Sequence, residues 1–128
     1  MVVDSSALIS ILLGEPEAEP FAWALAQSAV NVMTAATFLE TAMVITSRIG
    51  DEGERALREL MAWSDIDVVP VDWEMAQRAL NGWLRFGRGR HPAGLNFGDC
   101  FSYALAIQRA EPLLFKGGDF LKTDITSA

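Results

Sequence analysis

Short apolar runs alternate with amphipathic stretches along the chain, and turn residues mark the borders between them. Val2 and Val3, just before Asp4, read as the end of a short buried strand, and Ser5 and Ser6 open an apolar helix through Leu13. Gly14 and Pro16 end that helix. Glu17 to Ser28 resumes a helical pattern, with Phe21, Ala24, Leu25 and Ser28 on one face, and a second strand follows at Val30 to Met33. From Ala35 to Ile49, residues Phe38, Leu39, Ala42, Met43, Ile45 and Thr46 repeat at helical spacing; Gly50 closes this helix and Asp51 is placed to cap the next.

Glu52 to Trp63 is a charged amphipathic helix, Ile66 to Val71 a β-branched strand, and Asp72 to Phe86 a helix that starts on the good cap Asp72. Gly87 to Asn96 is a loop. Phe101, Ala104, Leu105 and Gln108 outline a helix from about Gly98 to Ala110, and Pro112 to Phe115 supplies a fourth strand. Such alternation predicts an α/β fold in which helices cover both faces of a parallel sheet. No internal repeat, linker or low-complexity segment interrupts it.

The 128 residues and 51% hydrophobic content predict one compact domain over 1–128. Cys100 is the only cysteine, so no internal disulfide is possible, and its place between Asp99 and Phe101 reads as helix packing. The lone His91, in a glycine- and arginine-rich loop, argues against both a cysteine nucleophile with a histidine base and a structural zinc site. Ala7 to Leu13 is too short for a signal peptide and follows Asp4 rather than a basic segment. Phe21 to Leu39 carries no charge, yet Gln27, Ser28, Asn31, Thr34 and Thr37 break it up, so a soluble cytoplasmic protein without a membrane span is expected.

The net charge of −7 is awkward for a nucleic-acid ligand. Arg85, Arg88, Arg90 and His91 nevertheless fall close together, and read either as a basic patch or as a solvated loop.

The acids are informative through their isolation. Asp4 is the only charged side chain from Met1 to Gly14, Glu40 the only one from Phe21 to Ser47, and Asp99 the only one from Pro92 to Gln108. An ionised carboxylate in apolar surroundings costs several kcal/mol unless it is paired or bound to a cation, and none of the three has a lysine or arginine nearby in sequence. In an open parallel sheet, ligands bind beyond the carboxyl ends of the strands, where strand order reverses. Asp4 and Asp119 closely follow predicted strands, Glu40 lies just inside the helix after the second, and Asp99 begins the helix leading to the fourth. All four can point into one crevice, and a carboxylate set without His or Cys suits Mg²⁺ or Mn²⁺.

Each acid also has a plainer explanation. Asp4 and Asp99 can cap their helices, Glu40 can face solvent, and Asp119 can be an ordinary turn residue after Gly117 and Gly118. The constellation is more specific than its members.

Four segments carry a resemblance: Val2 to Leu8, the Glu40 helix, Leu95 to Cys100, and Pro112 to Phe120. Together they closely resemble the PIN-domain ribonucleases that serve as VapC-type toxins in bacterial toxin–antitoxin pairs. The outer motifs match in wording and spacing, the Glu40 helix by position and context. The resemblance implies a three-layer α/β/α sandwich, a homodimer, and a cognate antitoxin that blocks the active site. It also implies that Asp4, Glu40 and Asp99 are metal ligands, with Asp119 as the fourth acid of a Mg²⁺- or Mn²⁺-dependent endoribonuclease acting on RNA. Ser6 matches the small hydroxyl residue that supports the first aspartate. One departure is Gly118, where many relatives carry Asn.

Rival readings are weaker. A phosphatase of the haloacid-dehalogenase type needs a second aspartate two residues after the first, where this chain has Ser6. A receiver-like phosphoacceptor would employ a lysine such as Lys116, but needs paired acids after its first strand. An interaction module with a dead PIN site would be expected to lose at least one of the four acids.

Overall fold

A computed structural model describes residues 1–128. The elements run β1 (Val2–Val3), α1 (Ser5–Leu12), α2 (Ala18–Gln27), β2 (Asn31–Thr34), α3 (Ala35–Ile49), α4 (Asp51–Trp63), β3 (Ile66–Val69), α5 (Trp73–Phe86), α6 (Phe97–Arg109) and β4 (Leu113–Leu114). A 3₁₀ turn at Phe120–Lys122 follows. The sheet is parallel throughout, in the order β3-β2-β1-β4.

Register explains why β1 and β4 are wholly apolar and why β2 is buried at every position. Val2 stands level with Val32 and Leu113, and all three enter one core with Met75 and Ala79 of α5 and Tyr103 and Leu105 of α6. Val3, Met33 and Leu114 point the other way, into a second core with Leu8, Leu25, Ile45 and Leu57 from α1 to α4. Alternate residues thus face opposite helical layers, and both layers need apolar partners. The result is the expected three-layer α/β/α arrangement.

Several borders move for identifiable reasons. The second strand begins at Asn31 rather than Val30, which is exposed. Buried Asn31 donates through Nδ2 to Leu25 O at 3.0 Å and Ser64 O at 2.8 Å, tying the ends of α2 and α4 to the sheet. Asp51 does not cap α4. Gly50, at φ 74°, serves both as the end of α3 and as the start of α4, and Asp51 is already helical. The last long helix starts at Phe97 because Asn96 caps it, and stops at Ala110, which is left-handed at φ 50°.

Strand β4 has only two residues, yet its outer edge is covered. Leu113 N donates to Thr126 O and Ala128 N to Leu113 O, both at 2.9 Å, so the tail lies along it and blunts an edge that would otherwise offer unpaired backbone. No helix is long and apolar enough to cross a membrane.

Candidate active site

Strand β1 has β2 on one side and β4 on the other, so the reversal of strand order falls between β1 and β4. Asp4 emerges there, 2% exposed. It does cap α1: Ser6 N donates to Asp4 Oδ2 at 3.0 Å, and Ser6 Oγ donates to the same oxygen at 2.6 Å. The Ser6 hydroxyl in turn accepts from Lys116 N at 3.0 Å, bridging the ends of β1 and β4. On the other carboxylate oxygen, Ser102 Oγ of α6 donates to Asp4 Oδ1 at 2.6 Å. Hydrogen bonds to an ion are the stronger kind, and these offset part of the desolvation of a buried carboxylate.

Glu40 reaches the same place from the second turn of α3, whose start is fixed by Thr34 accepting from Thr37 N at 3.0 Å. Its half-buried carboxylate lies against Gly98 in the first turn of α6, where an added methyl group would collide with it. Burial, followed by the Asp4 charge, pushes the Glu40 carboxyl above its ordinary range, while the Ser5 hydroxyl works against the shift.

Asp99 performs its capping role as well. Asn96 Oδ1 accepts from Asp99 N and Asp99 Oδ2 accepts from Asn96 N, each at 2.9 Å, which closes a capping box. The Asp99 carboxyl is pushed up to about 6, first by burial and then by the charges of Asp4, Glu40 and Asp119, with the Asn96 backbone hydrogen bond opposing. Capping and clustering are therefore not alternatives for Asp4 or Asp99; the same side chains do both.

Asp119 is exposed at the head of the 3₁₀ turn, after Gly117 at φ 96°, and near enough for its charge to act on Asp99. Asp124 is held elsewhere, accepting from Tyr103 Oη at 3.0 Å and pairing with Arg85 at 2.9 Å. Lys116 is also turned away from the acids: its Nζ bonds Glu15 at 2.7 Å and pairs with Glu17. That position leaves a receiver-like role for Lys116 without support.

The all-oxygen donor set fits a hard divalent cation. The acids are neighbours rather than a closed cage, since no three His, Cys, Asp or Glu side chains already surround a common point. Mutual repulsion and burial, visible in the raised Glu40 and Asp99, are what a cation would relieve.

The basic cluster is partly engaged in the fold. Arg85 pairs with Asp124 and lies over Phe86, Arg90 lies over Trp83 and donates to Leu84 O, and His91 Nδ1 accepts from Ala93 N. Two residues of the site escape notice in the sequence, Gly98 and Ser102. Their one signal is helical spacing: Gly98 precedes Asp99, and Ser102 follows it by one turn in an otherwise apolar run.

Comparison with known proteins bears on the family and the fold. The PIN domain family matches residues 1–125. A protein of Mycolicibacterium smegmatis named Ribonuclease VapC is 48% identical over 99% of this chain and 98% of its own length. Ribonuclease VapC30 of Mycobacterium tuberculosis is 46% identical over 99% of this chain and 97% of its own length. In fold, the crystal structure of Mycobacterium tuberculosis VapC20, described as a sarcin-ricin loop cleaving toxin, superposes with a TM-score of 0.80, covering 99% of this chain and 97% of that one at 18% identity. Isolated carboxylates brought to the strand-order reversal of a parallel sheet, and full-length likeness to VapC ribonucleases, lead to one assignment: the chain belongs to the PIN domain family.

Proposed function

We propose that this protein is a Mg²⁺- or Mn²⁺-dependent endoribonuclease, hydrolysing RNA phosphodiester bonds as the toxin of a type II toxin–antitoxin pair. The observation that carries the reading is the convergence of Asp4, Glu40 and Asp99 from three distant segments, with Glu40 and Asp99 both disfavoured as anions where they stand. The names of the full-length relatives support the choice of RNA as substrate.

Asp4, Glu40 and Asp99 would hold the ion, and Asp119 would complete the acidic rim. A bound divalent ion supplies a lowered pKa for its water and shields the phosphate charge. The protein's own part is placement. Ser6 and Ser102 fix the Asp4 carboxylate, Gly98 makes room for that of Glu40, and the Asn96 box sets that of Asp99.

Partners follow from the same reading. An antitoxin would place a basic side chain among the carboxylates, and an arginine fork suits them through bidentate, charge-assisted hydrogen bonds. The homodimer proposed with it is supported by apolar side chains left exposed around the site, among them Leu39 and Met43 of α3, Leu80 of α5 and Phe97 of α6.

The test is RNA cleavage by the purified, partner-free protein. Cleavage should require added Mg²⁺ or Mn²⁺, stop with a chelator, and be lost in Asp4→Asn and Asp99→Asn variants that keep their circular dichroism. Undiminished cleavage by Asp99→Asn at limiting metal would overturn the assignment.

A further inference from the structure

Ser102 lies in the second turn of α6 and is 1% exposed. A serine inside a helix ordinarily points to solvent or returns its hydroxyl to the carbonyl one turn back. This one instead donates to Asp4 Oδ1, 98 positions away in sequence, at 2.6 Å. Its neighbours Cys100, Tyr103, Ala104, Leu105 and Ala106 are buried too, so the hydroxyl is removed from bulk solvent. Alanine would favour the helix more, and a buried hydroxyl is costly unless bonded. The Asp4 contact is what offsets both penalties.

The division of donors between the two oxygens of Asp4 gives the contact its meaning. An ionised carboxylate has about four lone-pair positions, two on each oxygen. Ser6 fills both on Oδ2, through its backbone N and its hydroxyl, whereas Oδ1 accepts only from Ser102. The carboxylate is thus tied to α1 through one oxygen and to α6 through the other, with one acceptor position left on Oδ1. Gly98, Asp99 and Ser102 are close to one another on α6 at helical spacing, so the helix that carries Asp99 and receives Glu40 also sets Asp4.

We propose that Ser102 is a positioning residue of the metal site, pinning Asp4 through Oδ1 so that the remaining acceptor position of that oxygen is offered to the divalent ion. The proposal rests on the metal-dependent reading above. Removing a group that orients a ligand typically weakens metal binding by about 10- to 100-fold.

The experiment is Mn²⁺ titration of the metal-free protein, followed by calorimetry and by the electron paramagnetic resonance of free Mn²⁺, on the full chain without RNA. Ser102→Ala and Ser102→Cys remove or weaken the donor, and Ser102→Thr keeps it; circular dichroism and Tm establish which variants are folded. Weakening by about 10-fold or more is expected for the Ala and Cys variants, with Thr close to the wild type. Wild-type affinity in a folded Ala or Cys variant overturns the proposal, even if its Tm has fallen, because that outcome assigns Ser102 to stability alone. Equal weakening in a folded Thr variant also overturns it, since packing rather than the hydroxyl would then be responsible. A wild-type protein that binds no Mn²⁺ defeats the metal reading itself, and this proposal with it.

Discussion

The Glu40 carboxylate lies directly against Gly98, so that the second turn of α3 meets the first turn of α6 where no other residue leaves room. A side chain at Gly98 would displace the carboxylate rather than backbone, and a glutamate can swing aside at little cost.

Gly98→Ala should therefore separate stability from activity. Alanine in a helix is favoured over glycine by roughly 0.5–1 kcal/mol, so Tm is expected to hold or rise slightly. RNA cleavage and Mn²⁺ affinity are expected to fall by about 10-fold or more, as for loss of a ligand-orienting contact. Thermal melts and cleavage at limiting Mn²⁺ measure the two effects, and full activity in a stable Gly98→Ala protein would show that Glu40 needs no fixed seat.

The raised Asp99 carboxyl makes a pH prediction with a definite sign. Between its ordinary value of 3.8 and about 6, the folded protein holds a proton on Asp99 that the unfolded chain has released. Its contribution to stability is present below 3.8 and is lost as pH rises through about 6. Glu40 shifts in the same direction. In chelator, the wild type should lose stability relative to Asp99→Asn as pH rises through this window. Mn²⁺ should restore stability above it, because ligands bind metal deprotonated. Parallel Tm curves for wild type and Asp99→Asn in chelator would refute the linkage.

Asp119 and Asp124 should part company. At low Mg²⁺, Asp119→Ala is expected to reduce cleavage more than Asp124→Ala, since Asp119 is the one whose charge reaches Asp99. Asp124→Ala removes a half-exposed pair with Arg85 and the Tyr103 contact, so its effect should be on stability, about 0–1 kcal/mol for the pair. Initial rates and denaturant midpoints for the two variants decide it, and the reverse ranking of rates would move the fourth acid to Asp124.

Gly118 is open to substitution. A Cβ there meets nothing within 4 Å, and its backbone is not left-handed. Gly118→Asn should fold with stability within about 0.5 kcal/mol of the wild type, and Mn²⁺ titration of that variant will read whether an amide beside Asp119 tightens the site. A marked loss of Tm would show a constraint on the turn that the free space does not reveal.

Periodicity and isolation were the legible features. The bounds of α3, Ala35 to Ile49, follow from helical spacing closed by Gly50, and Asp72 caps α5 as its chemistry predicts. Asp4, Glu40 and Asp99 stand out because each is a lone charge in an apolar window, a local property. Contacts made only in three dimensions stayed hidden. Nothing near Ser102 announces Asp4, nothing near Arg85 announces Asp124, and buried Asn31 looks like a loop residue until Leu25 and Ser64 are brought to it. Asp51 misled because a good capping residue followed a glycine that was already filling the cap.

The opposed burial of Val2 and Val3 also bears on where the chain tolerates change in length. Because neighbouring residues of β1 belong to different cores, adding or deleting one residue there would exchange the contents of the two cores and carry Asp4 out of phase with them. Orientation of the first aspartate is thus inherited from the parity of the strand before it. The loop after α5 has no such parity to preserve: it is anchored at Gly87, Ala93 and Leu95 and ends on the cap Asn96, but the exposed stretch Arg88 to Arg90 between these anchors is where insertions can accumulate without re-aiming the acids.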